Sequence, residues 1–178
     1  MPASPLIHQT VIKDKMIQLA NVTTSAADRI NLQILSNASR ELLENLGETY
    51  YGIYMTGLSE YDSDTFAEFD LKDFGSLTKL ESAMRNMLFA ESYFGLYMLS
   101  IALKRLVKGA VTTTRETAGS ASIYASAFED IISNSELYKE SAYSCVSFAI
   151  QILDEFYGTE TDEVEDSFFS GQLGVFVV

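Results

Sequence analysis

Apolar residues recur along most of this chain at the three-to-four spacing of an α-helix, and the breaks in that rhythm mark the element ends. Near the start they fall at Leu6, Ile7, Val11, Ile12, Met16 and Leu19, which predicts a short amphipathic helix over 5–19. Asn21 to Thr24 interrupt it. Ser25 is then placed to cap a second helix, with Asp28 three residues on. Ile30, Ile34, Leu35, Ala38, Leu42 and Leu46 form the stripe of that helix, and Gly47 stands where a terminating glycine belongs.

The character changes over 48–75. Tyr50, Tyr51, Tyr54 and Met55 crowd together, with glycines at 52 and 57. Glu60, Asp62, Asp64, Glu68, Asp70 and Asp73 follow, interleaved with Phe66, Phe69, Leu71 and Phe74. The stretch at 58–75 reads as a long acidic excursion, partly ordered by its aromatics, of the loop type that is usually functional or mobile. Ser76 is the next expected cap. From Leu77 to about Val107 runs the strongest helical pattern, and between 87 and 103 almost every position is apolar or small. A helix apolar all round is buried on all sides, so this is the expected central helix. Lys104, Arg105 and Lys108 suit its negative C-terminal end, and Gly109 is expected to end it.

Residues 110–120 are β-branched and polar, which predicts an extended arm or short hairpin. A helix over about 122–133 and another from Glu136 to Tyr157 follow. Leu137, Tyr138, Ala142, Cys145, Phe148, Ala149, Ile152 and Phe156 are expected on the inner side of the latter, and Gly158 is expected to stop it. Beyond lie an acidic linker at 159–166 and a strand-like apolar ending at 167–178. The predicted fold is therefore mainly all-α. It comprises a helical bundle over 1–158 with a long central helix, an arm near 110–120, and a docking tail over 159–178.

Size and charge narrow the class. At 178 residues the chain suits one domain plus a tail. Its net charge of −13 argues against a general nucleic-acid binder, which needs a basic surface. An acidic wall could still line a DNA passage and keep DNA from sticking, although solubility is the plainer reason for the charge. A single cysteine, Cys145, excludes an intrachain disulfide. The first 19 residues lack the pattern of a signal peptide. Met87 to Leu103 contains Glu91 and is followed by Lys104 and Arg105, so it reads as a buried helix and not a membrane span. Synthesis in the cytoplasm is expected.

Little chemistry can be built from these residues. His8 and Cys145 supply the sole histidine–cysteine combination, and the expected readings are a surface or first-turn histidine and a small buried core thiol. Structural zinc would need about four nitrogen or sulfur ligands, and no cofactor is expected. Asp62-Ser-Asp64-Thr-Phe-Ala-Glu68-Phe-Asp70 has carboxylates at alternate positions, but Ala67 stands where a calcium loop needs glycine and Phe66 where it needs an oxygen. A solvated acidic loop fits better. Glu91 is the one acid deep in an apolar helix. It is expected to be buried and paired, with Arg85, Arg105 or a tyrosine hydroxyl as the partner. No phosphate-binding glycine loop is present.

The candidate binding residues are of two kinds. Lys104, Arg105, Lys108 and Arg115 form a local basic cluster. It reads as helix capping or as a docking patch for an acidic neighbour surface or for nucleic-acid phosphate, and the acidic tail of a second copy is a natural candidate. Phe168, Phe169, Leu173, Val175 and Phe176 lie in an apolar ending that would aggregate unless covered, by its own domain or by a neighbour.

The element order resembles that of the head-to-tail adaptor, or connector, proteins of tailed bacteriophages. The likeness rests on the long helix with Ala90-Glu-Ser-Tyr-Phe-Gly-Leu-Tyr97, the Thr112–Gly119 arm and the helix with Tyr138-Lys-Glu-Ser-Ala-Tyr143. It spans Ser76 to Tyr157, about half the chain, and is a pattern and not a motif. The acidic excursion at 58–75 is outside it. The resemblance implies a structural virion protein without enzymatic activity. Its copies would form a ring that binds portal and tail proteins, with DNA passing through. No membrane or small-molecule substrate is implied. The rival expectation is an intracellular acidic helical module that inhibits or regulates a basic or nucleic-acid-binding partner. An enzyme with a carboxylate site ranks third.

Overall fold

The structure, a computed structural model, describes residues 5–61, 63–113 and 128–172. Every regular element among them is helical: α1 (Pro5–Ala20), α2 (Thr24–Ala27), α3 (Leu32–Ser59), α4 (Ser63–Leu71), a 3-10 turn at Phe74–Ser76, α5 (Lys79–Thr113), a helical segment at 128–133 (α6), and α7 (Ser135–Gln172). The expected helical bundle with a long central helix is present. α5 is that helix; it packs most extensively on α7, then on α3 and α1. Ala83, Met87, Leu88, Ala90, Leu96 and Leu99 have no exposed surface, so α5 is enclosed on several sides. α5 and α7 are antiparallel. Lys79 Nζ lies 3.9 Å from Glu155 at one end, and Lys139 Nζ lies 5.6 Å from the Tyr97 ring centre further along. No helix among the described residues is long and apolar enough to cross a membrane.

Local chemistry sets the helix starts, and it moves two expected caps. Asn31, not Ser25, caps α3: its side chain accepts from the Ile34 N–H at 3.1 Å. Ser25 lies inside the short α2. Thr78, not Ser76, starts α5. Its hydroxyl accepts from the Glu81 N–H at 3.2 Å while Glu81 accepts from the Thr78 N–H at 2.9 Å, a reciprocal capping box. Gly47 has φ +79° and does break the helix, but the helix resumes beyond it. Tyr54 and Leu58 on the second half are buried in the same core, which draws the chain back into helix.

The acidic excursion is not a loop. Its residues form α4 and the 3-10 turn, and α4 sits on the body through side chains the alternating carboxylates had obscured. Phe69 is buried, with the Tyr61 and Phe66 rings 5.1 and 5.9 Å from its own. Arg85 of α5 donates Nη1–H to the Lys72 carbonyl at 2.6 Å and Nη2–H to the Phe69 carbonyl. It thus serves the C-terminal carbonyls of α4, the negative end of that helix. Lys15 of α1 donates to both oxygens of Asp70 at 2.6 Å.

Two expected stops fail as well. α5 passes through Gly109 to Thr113, so the first residues of the expected arm are helical. Residues 114–127, which include Arg115, lie outside the described residues. α7 passes through Gly158 to Gln172, so the expected linker at 159–166, with Phe168 and Phe169 after it, has a helical backbone. One glycine disfavours helix by only about 1 kcal/mol, which a long helix absorbs. Leu173, Val175 and Phe176 lie outside the described residues.

Candidate functional site

The principal polar cluster of the interior converges on Glu91. This carboxylate has no exposed surface. His8 of α1 faces it with Nε2 at 2.8 Å from Oε2; Tyr54 of α3 donates its hydroxyl to Oε2 at 2.7 Å; Ser39 of α3 donates to Oε1 at 2.5 Å. The sequence expectation of a buried, paired acid holds, with a tyrosine hydroxyl among the partners. Arg85 is not a partner, because it is engaged with α4, and Arg105 is exposed fourteen residues further along α5.

Three local features place these groups. On α1, His8, Ile12 and Met16 recur every four residues and are all buried, so they form one inward row. On α5, Glu91 and Gly95 are also four apart. A Cβ at Gly95 would fall 2.6 Å from Met16 Sδ, so the missing side chain permits the close approach that seats His8 against Glu91. On α3, the residues beyond Gly47 carry Tyr54 inward, where its ring meets the His8 ring edge to face at 6.0 Å.

The electrostatics follow from burial beside a carboxylate. Burial first, then the Glu91 charge and the hydrogen bond to it, push the Tyr54 phenol well above the ordinary tyrosine range. Burial and the same charge raise Tyr51 less, against an opposing hydrogen bond with Ser39. Three donors therefore share one carboxylate, and together they join α1, α3 and α5. Such an arrangement holds helices together. It leaves Glu91 without a free face from which to exchange a proton with a substrate.

Elsewhere the candidate chemistry is dispersed. His8, expected at the surface or in a first helical turn, lies in the first turn of α1, is 8% exposed and is committed to Glu91 rather than to Cys145. Cys145 is partly buried on α7, and burial pushes its thiol up, away from the reactive thiolate. Among the described residues no group of three or more His, Cys, Asp or Glu could hold a metal ion.

The outer surface is less settled. α7 buries Tyr138, Ala142 and Ala149 as expected, together with Val146 and Leu153, and Leu137 and Phe148 of the expected inner face point outward. Leu137 is 57% and Phe148 60% exposed, and Tyr143 is exposed too. Tyr143, Ser144, Ser147, Phe148 and Gln151 line a shallow open groove. Of the expected basic cluster, Lys104, Arg105 and Lys108 are exposed together at one end of α5.

Comparison with known proteins finds no matching family, no matching curated protein and no matching solved structure.

Proposed function

We propose that this chain is a structural subunit that works by contact, of the kind that links head to tail in tailed bacteriophages. In this reading its copies form a ring that binds portal and tail proteins, with DNA passing through the centre. The observation that carries the proposal is the exposed apolar face of α7, with Leu137 and Phe148 uncovered on a helix whose opposite side is a well-packed core. Exposed apolar surface bordered by polar residues marks interaction sites. The Glu91 cluster supports the same reading from inside, since its polar groups are occupied by one another. The net charge of −13 suits a passage wall that repels DNA.

Co-expression with the portal protein of the same genome, followed by sedimentation and light scattering, tests this. A stable complex containing several copies per portal ring is expected. A chain that stays monomeric alone and with the portal contradicts the adaptor reading and favours an acidic module that covers a basic partner.

A further inference from the structure

The two charged ends of this molecule cannot reach each other within one copy. α5 and α7 are antiparallel, with Lys79 beside Glu155. Lys104 lies 25 positions up α5 from that point, and Asp162 and Glu163 lie about eight positions beyond it along α7, in the opposite direction. At 1.5 Å per residue the basic end and the acidic run are about 50 Å apart. The screening length at physiological salt is about 8 Å, so neither end neutralises the other. Lys104 and Arg105 are exposed and make no ion pair among the described residues. The run from Glu160 to Asp166 holds five carboxylates and no basic residue, and Phe168 and Phe169 follow it.

We propose that the occupant of the basic end of α5 and the adjoining exposed face of α7 is the C-terminal segment of a second copy of this chain. Its acidic run meets Lys104 and Arg105, and its phenylalanines lie toward Leu137 and Phe148. This contact is head-to-tail, because the two surfaces that meet are different. Repeated from copy to copy, it closes a ring or extends a filament. The inference deepens the proposed function by naming the surfaces through which copies join, and it rests on that reading only for the ring.

Two charge reversals test it on the full chain: Lys104→Glu with Arg105→Glu, and Asp162→Lys with Glu163→Lys. Lys104 and Arg105 are exposed, and circular dichroism checks the fold of both variants. Light scattering should show that the wild type self-associates, more weakly at high salt. Each reversal alone should weaken self-association by roughly tenfold or more, and an equimolar mixture of the two variants should restore it. A third variant, Phe148→Ala, should weaken it without changing the salt dependence. A multimer whose mass is unchanged by either reversal overturns this contact and leaves the portal-binding proposal standing. Reversals that each dissociate the multimer but do not rescue one another also overturn it. A wild type that is strictly monomeric overturns it too, and portal binding then decides the adaptor reading separately.

Discussion

The seam around Glu91 and the basic end of α5 lie on one helix and handle charge in opposite ways. At Glu91, His8, Ser39 and Tyr54 close around one carboxylate from segments 83, 52 and 37 residues away in sequence. At the other end, Lys104 and Arg105 stand in solvent with no ion-pair partner among the described residues. The inner groups secure the fold and offer nothing to a ligand. The outer groups contribute little to the fold and are free to meet a partner. Exposed charges change stability little by themselves, whereas a buried charge stripped of a partner costs several kcal/mol. Substitutions at the two ends should therefore separate folding from association.

Glu91→Leu should show the largest loss. It leaves the His8, Ser39 and Tyr54 donors without their acceptor and should destabilise the chain by about 3–5 kcal/mol, read by urea unfolding. Arg85→Met is next, at about 1–3 kcal/mol, because it strips the α4 carbonyls of their donors. Hydrogen exchange should localise its effect to α4. Tyr54→Phe should cost about 1 kcal/mol and also change the response to alkali. The native phenol pKa is raised above its unfolded value, so both states are protonated below the ordinary tyrosine range and the contribution is fully present. As pH climbs above that range the unfolded state ionises first, and stability should fall more steeply in the wild type than in Tyr54→Phe. Thr78→Ala removes half of the capping box and should cost about 1 kcal/mol. Lys104→Glu with Arg105→Glu should leave stability within about 0.5 kcal/mol of wild type. A loss there as large as at Glu91 would erase the contrast between the two ends.

Much of the inner half was legible in the sequence. The unbroken apolar stretch of α5 predicted burial, and an acid within it could persist only with partners. Gly47 marked a break in α3, although the helix was expected to end there. His8 as the partner was harder to see, because it lies 83 residues away and only its four-residue spacing with Ile12 and Met16 hinted that it faced inward. α4 was masked by charge. Phe66 and Phe69 are three apart, as a helix requires, but the alternate carboxylates read as a loop, and the anchors Lys15 and Arg85 come from other helices. The α7 face was legible in part: Tyr138, Ala142 and Ala149 are buried as expected, and Leu137 and Phe148 are not. Large apolar residues occur on both sides of it, and α5 packs where Ala142 and Ala149 allow close approach, leaving Leu137 and Phe148 outside. Size and hydrophobicity alone put Leu137 and Phe148 on the inner side with them.

The central claim is that this protein works by joining copies and partners. The most direct measurement is the mass of the full chain by light scattering, alone and with the portal protein that the adaptor proposal names as its partner. A mass that is a multiple of the 19.7 kDa chain, rising to a defined complex with the portal, is predicted. A single chain of 19.7 kDa in both samples would contradict it.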